Sequence, residues 1–403
     1  MGSRLAWSLL LAAAAILLIT TGGRQTMGLF IAPLDQATGL GIVSISLAIA
    51  IGQFTWGFAQ PFFGALADRF GPGRVIVFGG LMLALGMALI PFVRSEWALI
   101  GVLGIVSACG AGAGSFSILI GSVLQRLPAE RRSFAAGFVN AGGSLGQFVF
   151  APTAQAIISG FGWVTAMFAV AAASLLTLPL AWPLRRREPA SAVGAAGTAS
   201  AMTLREQLRV AAAEPSYWLL HLGFFTCGFH VAFLVTHLPG EVRLCGLAPS
   251  ISANSLAIIG LANVAGSLGA GWLGARYRMK HLLFWIYLTR AVAVLLYLMV
   301  PKTALTFYVF AGVLGMTWLA TVPPTAGLVG KLFGVRYLST LFGLTLLSHQ
   351  LGGFYGAWLG GLAVANFGDY GWMWYADALL ATMAALSNLP IREARVVRAP
   401  AIA

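Results

Sequence analysis

The sequence predicts an all-α integral membrane protein, with twelve transmembrane helices in two six-helix pseudo-symmetric bundles. Three observations predict it. The chain is 59% hydrophobic and 9% charged, whereas soluble domains carry about 25% charged residues. Continuous apolar runs of about 20 residues, the length that spans a bilayer as a helix, recur twelve times. Local patterns in the first half return in the second at an offset of 206 to 209 residues. A transmembrane barrel is excluded, because barrel strands alternate in polarity and these runs do not.

The runs lie at roughly 8–33, 42–67, 74–93, 97–125, 131–159, 162–183, 216–240, 250–275, 281–300, 303–330, 337–363 and 370–390, and are numbered spans 1 to 12. Span 1 follows Arg4 as a signal peptide would. Its run is too long for one, and Gly22-Gly23-Arg24-Gln25 continues it, so it is read as uncleaved. Spans 4 and 5 carry glycine clusters, Gly104 to Gly121 and Gly142 to Gly146, which let helices approach closely in lipid. Span 7 repeats span 1: Arg24 precedes Pro33 by nine residues, and His230 precedes Pro239 by nine. Trp318, Pro323 and Pro324 suggest that span 10 is a broken helix. Gly162-Trp163 and Gly371-Trp372 open the last span of each half.

Between the halves the chain turns polar. Arg185-Arg186-Arg187 leads into a small-residue stretch expected to be flexible. A short amphipathic helix follows, with Thr203 as cap and Glu206 three residues on. The expected division is a bundle over 1–184, a cytoplasmic linker over 185–214 and a second bundle over 215–403.

The net charge of +13 reports topology. Arg94, Arg243 and Lys302 fall in outer loops and Arg24 and Arg290 inside spans; every other Lys and Arg lies on one side. That bias puts both termini in the cytoplasm, at the cytoplasmic (inner) membrane, with anionic lipid and not nucleic acid as the neighbour. Cys109, Cys227 and Cys245 form no disulfide framework or metal spacing. There is no phosphate-binding loop or paired-carboxylate site, and Gly110-Ala111-Gly112-Ala113-Gly114-Ser115 lies inside an apolar span with no strand before it. The chain is expected to be no enzyme, to need no cofactor or metal, and to be a monomer.

The loop after span 2 reads Gly64-Ala65-Leu66-Ala67-Asp68-Arg69-Phe70-Gly71-Pro72-Gly73-Arg74. It resembles the cytoplasmic loop motif of the major facilitator superfamily, and the copy from Gly271 to Arg278 lacks the acid. The resemblance implies gating roles for Asp68, Arg69 and Arg74, alternating access by rocking of the halves, and a cavity lined by spans 1, 2, 4, 5, 7, 8, 10 and 11. A narrower likeness rests on Arg131-Arg132-Ser133-Phe134-Ala135-Ala136-Gly137 and Ala141-Gly142-Gly143-Ser144-Leu145-Gly146. It resembles span 5 of monocarboxylate transporters and of bacterial oxalate/formate-antiporter-like carriers. The acidic-aromatic motif those carriers hold in span 1 is replaced by Gly22-Gly23-Arg24-Gln25, and their span 8 arginine is absent. The proline of the drug-antiporter span 5 motif arrives late, at Pro152.

Within the implied cavity Arg24, His230 and His349 are the candidate cations. Gln53, Asn140, Gln147, Asn263, Gln350 and Tyr355 are candidate hydrogen-bonding neighbours, and Trp318 is either an apolar wall or packing. Asp35 and Glu241 fall at outer ends and Asp377 near the outer part of span 12, so no acid is expected at the centre. Cations without a resident anion must be neutralised by cargo or by solvent; an anionic cargo fits, most simply a carboxylate on the planar guanidinium. Arg24 lies about 6 Å beyond the span midpoint; its alternative role is a salt bridge or carbonyl cap at the outer gate. His230 and His349 are candidates for substrate binding and for proton coupling, or else packing histidines. His221 and His237 are placed near span ends as structural residues, and Arg290, in span 9, is expected to bond carbonyls of spans 8 or 10. The expected function is secondary transport of small organic anions, monocarboxylates first, with protons as a possible second cargo and exchange or facilitated diffusion open. The alternative is an exporter of neutral or amphipathic organic compounds.

Overall fold

A computed structural model describes residues 3–124, 129–185, 203–334 and 337–396. Among the described residues every regular element is helical, and they build the twelve spans. Span 1 runs Ser3–Gln25, tightens through a 3-10 turn at Met27–Phe30 and continues as Ile31–Thr38. Span 2 is Ile42–Phe70, and span 3 is Pro72–Leu89 closed by Ile90–Phe92. Span 4 is segmented into Glu96–Leu99, a π-helical stretch Ile100–Ser107, Ala108–Ala113 and Phe116–Leu124. Spans 5 and 6 are Ala129–Phe161 and Trp163–Leu175 with its short extensions to Leu184. The linker helix Leu204–Ala213 precedes span 7, Pro215–Leu244. Spans 8 and 9 are Pro249–Arg276 and Met279–Met299; span 10 is Ala304–Thr317 and Val322–Phe333. Spans 11 and 12 are Leu338–Phe367 and Gly371–Asn388. Nine described helices are long and apolar enough to cross a membrane. Spans 5, 11 and 12 are not among them; they carry Asn140 and Gln147, His349 and Gln350, and Asp377 and Asn388.

The repeat is visible in the packing. Span 5 crosses span 1 where a Cβ at Gly146 would fall on the carbonyl of Leu18. Span 11 crosses span 7 where a Cβ at Gly352, 206 residues on, would fall on the carbonyl of Phe225. Lipid gives no hydrophobic drive between helices, so contact depends on such close backbone approach. The two bundles meet along spans 2 and 11 and along spans 5 and 8. Span 7 also meets span 1 at its 3-10 turn.

Spans 4 and 10 are both interrupted, at equivalent places. The Gly114 carbonyl at the first break accepts a bond from Thr20 Oγ1 at 3.0 Å. In span 10 the prolines act through what they lack. Pro323 and Pro324 have no N–H for the carbonyls four residues back, so the helix opens over 318–321 and restarts at Val322. The linker helix opens with a capping box: Thr203 Oγ1 accepts from the Glu206 N–H at 3.3 Å, and Glu206 accepts from the Thr203 N–H at 2.8 Å. Its Ala211 packs with Tyr217 and Leu220 of span 7.

Candidate functional site

Arg24 ends the first segment of span 1, where the last turn of a helix favours a cation. The helix does not continue because the chain tightens at Thr26, whose hydroxyl donates to the Gly23 carbonyl at 2.8 Å. Arg24 Nη1 donates to Gln53 Oε1 on span 2. Its Cζ lies 4.2 Å from the centre of the Trp56 ring, three residues further along the same helix face. Nε is buried without a partner. Among the described residues the ion pairs are His230 with Asp377 and Lys331 with Glu393, so no acid meets Arg24. The guanidinium borders a cavity of about 30 Å³ shared by spans 1, 2, 3, 4 and 7, with Gln53, Ser107 and Thr236 as its other polar walls and Leu83, Leu103 and Val235 among the apolar ones. Such a space holds about one or two waters. An organic anion enters it only if these spans separate.

Beyond Arg24, toward the end of the spans opposite the chain termini, the halves are pressed together. A Cβ at Gly28 would fall on the carbonyls of Val235 and Thr236, so glycine is what lets span 1 touch span 7 there. Past that contact lies a vestibule of about 240 Å³, bordered by Gln36, Gln155, Arg243, Ser252 and Tyr370.

His230 is placed differently from the expectation. It is fully buried, and its Nδ1 lies 2.6 Å from Asp377 Oδ2 on span 12. This corrects the idea of an unmatched cation, and of Asp377 as a peripheral acid. The ring of His230 packs edge-on to Trp318, 5.8 Å between centroids. Trp318 is itself fully buried in the span 10 break, not exposed as a cavity wall. Arg290 completes this interior cluster. Its Nη2 donates to the carbonyls of Thr317 at 2.7 Å and Trp318 at 3.1 Å, and Tyr287 lies 5.4 Å from its Cζ. The first half of span 10 ends there with carbonyls that have no helical partner, and a guanidinium is well suited to them. Arg290 is thus the cap of a broken helix.

The remaining candidates divide between packing and open positions. Asn263 is buried and bonded at both ends of its amide: Nδ2 donates to Ser144 Oγ on span 5 at 2.9 Å, and Oδ1 accepts from the Leu319 N–H at 3.0 Å and from Ser267 at 3.1 Å. It ties the bundles to each other and to the break. Gln147 is buried in the same interface with Nε2 unpartnered. Asn140 is half-buried on span 5, and Tyr355 is exposed beside Phe225 and Phe354. His349 is half-buried on span 11, with Nδ1 3.4 Å from Gln350 Nε2 and Nε2 buried without a partner. One turn of span 7 toward the linker from Phe225, His221 Nδ1 meets Ser348 Oγ at 2.6 Å. Of the gating candidates, Arg69 and Arg74 are exposed, Arg69 with its Cζ 5.3 Å from the Phe70 ring. The Asp68 side chain lies outside the described residues, as do those of Arg131 to Phe134.

Sequence reasoning missed Trp56 and Ser107. Trp56 had a signal, being one helical turn from Gln53. Ser107 had none in its residue type; it ends a π-helical turn, where its hydroxyl donates to the Val102 carbonyl five residues back at 2.9 Å.

Comparison with known proteins places this geometry in a family. The chain is similar to monocarboxylate transporter 13 of Bos taurus, at 28% identity over 90% of this chain and 84% of that protein. It is similar to the oxalate:formate antiporter of Oxalobacter formigenes, at 24% identity over 90% of this chain and 86% of that one. Among solved structures, a D-xylose-proton symporter superposes with a TM-score of 0.76 at 14% identity, covering 96% of this chain and 98% of that chain. The model of the Major Facilitator Superfamily matches residues 13–357. With twelve spans in two repeated bundles and a polar site between them, this multi-pass membrane protein belongs to that superfamily of transporters.

Proposed function

We propose that the protein carries small organic anions, monocarboxylates first, by alternating access, and that Arg24 is the anchor for the carboxylate. The observation that carries this reading is the guanidinium at the bundle interface, bonded to an amide and an indole face and to no acid. A carboxylate is the group that complements it, because two parallel N–H···O bonds match the planar fork and bring the missing charge. Gln53 orients the fork, Trp56 supports it from one face, and the apolar walls from spans 2, 3 and 4 suit a short hydrocarbon tail. The similarity to monocarboxylate and oxalate:formate carriers supports the same substrate class. Motion of the bundles about the span 2/11 and 5/8 interfaces exposes Arg24 to either side. The distribution of Lys and Arg supports a cytoplasmic membrane location with both termini inside.

The test is counterflow of labelled L-lactate, formate and oxalate in proteoliposomes. Wild type exchanges at least one of them. Arg24→Gln loses that exchange by about 30-fold or more, the cost of removing one member of a buried charge pair, and Arg24→Lys retains part of it. Exchange by Arg24→Gln at the wild-type rate, or stabilisation by neutral hydrophobic compounds alone, overturns the reading.

A further inference from the structure

We propose that the His230–Asp377 pair is a proton-binding site whose occupancy decides how firmly Arg290 holds the break in span 10. This goes beyond the anion site, which lies around Arg24. Only its link to transport rests on the carrier reading above.

The argument starts from charge balance. The cluster holds one acid, Asp377, and two bases, His230 and Arg290, all fully buried. With His230 neutral, its Nδ1–H donates to Asp377 Oδ2, and the carboxylate and the guanidinium cancel. Nε2 then keeps its lone pair, buried and without a partner. A proton adds there: an N–H bond forms on Nε2 and the ring becomes an imidazolium held by the same carboxylate. The cluster gains one positive charge, with no second carboxylate paired to it among the described residues.

Arg290 feels that change because it is shared. Its Nη2 serves the Thr317 and Trp318 carbonyls, while Nε and Nη1 are buried and unpartnered. Asp377 Oδ1 is buried and unpartnered as well. When the imidazolium claims Asp377, the helix-end carbonyls are the stronger attraction left to the guanidinium, and the break stays capped. When the proton leaves, Asp377 Oδ1 competes for Arg290 Nη1, and the guanidinium turns from the carbonyls toward the carboxylate. The half-helix Ala304–Thr317 then loses its cap. Two alternative partners for one cation make a two-state element, which a proton biases.

The groups facing the pair are few. Span 9 contributes Arg290 and Tyr287, whose hydroxyl is occupied by the Gly223 carbonyl at 2.6 Å. Span 7 contributes Cys227, 3.4 Å from Thr321 Oγ1 at the break. Span 10 contributes Trp318 and no titratable side chain; span 11 contributes His349, which packs on Phe224.

Two measurements on the purified full chain test the site without reference to any substrate. The chain has 5 histidines, so nitrogen-15 imidazole spectra identify His230 by the signals lost in His230→Gln. As the pH is lowered His230 is expected to pass from one neutral tautomer to imidazolium, and the transition is expected to move in Asp377→Asn. Spin labels at Leu305 and Lys331, on a background with Cys109 and Cys245 replaced by serine, report the bend of span 10. Two distance populations are expected to exchange over the same pH range in wild type and to be fixed in His230→Gln. A His230 ring that stays neutral throughout, or a span 10 distance that ignores pH in wild type, overturns the proposal. If Asp377→Asn does not fold, the wild-type and His230→Gln spectra still decide. Lactate exchange at equal pH on both sides tests the anion reading alone. Accumulation driven by a pH gradient tests the coupling, and its survival in His230→Gln sinks the proton role while leaving the anion site standing.

Discussion

Two arginines inside spans have opposite circumstances. Arg290 is sealed in and employed by backbone carbonyls, so its removal leaves two helix-end acceptors unserved and takes a cation out of the buried cluster that holds the His230–Asp377 pair. Arg290→Met is expected to destabilise the protein by about 3–5 kcal/mol, the cost of breaking a buried charge cluster, read as a lowered melting temperature in detergent. Arg24 is held by lighter partners. Trp56→Leu removes the ring face and is expected to weaken carboxylate binding by about two- to thirtyfold, since a cation over an indole contributes about 0.5–2 kcal/mol; isothermal titration with the transported acid measures it. Stability in that variant stays near wild type. The pairing of Arg24 with Gln53 was within reach of the sequence as two polar residues in facing spans. The fate of His230 was not. In a soluble helix the apolar stripe shows which way a residue looks, but in a membrane both lipid and bundle interior are apolar and the stripe fades. A histidine could then be placed along its span but not around it, and the acid it found sits 147 residues away.

At the level of elements, the interruption of span 10 was legible because Pro323 and Pro324 state it directly. The position of the cap was half legible, since span 10 carbonyls were one of two expected targets for Arg290. The matching interruption of span 4 was hidden, because Gly114 and Ser115 break a helix far more quietly than proline does. Replacing Pro323 and Pro324 together by alanine restores N–H donors for the carbonyls of Leu319 and Ala320 and closes the helix. The double variant is expected to match or exceed wild-type thermal stability while its transport rate falls at least about tenfold, a barrier rise of about 1.4 kcal/mol. Equal transport by the straightened helix would show that the break is idle. The repeat itself was easy to read: a constant offset survives where individual side chains diverge, because it is carried by glycines that the helix crossings require.

On the scale of the whole molecule, the contact between Gly28 and span 7 holds the two bundles shut on the side away from the termini. Gly28→Val cannot make that approach and is expected to favour the state open on that side. A cysteine placed at Gln36 should then react faster with a membrane-impermeant thiol reagent than in the Gly28 parent, on a background with Cys245 replaced by serine; unchanged reactivity would count against the contact as a closure. Asn263→Ala removes bonds to Ser144 and to Leu319 at once. It is expected to loosen the bundle interface, costing about 1–3 kcal/mol for the donor and acceptors left behind, measured by thermal denaturation. That single amide has a mechanical meaning. One of its ends grips the opposite bundle and the other grips the unwound turn of its own. Rotation of one bundle against the other must either tear the first grip or pull on the second. If the bundles rock as proposed, that swing and a flexing of span 10 would be geared together, like a wheel and the pawl that rides on its teeth.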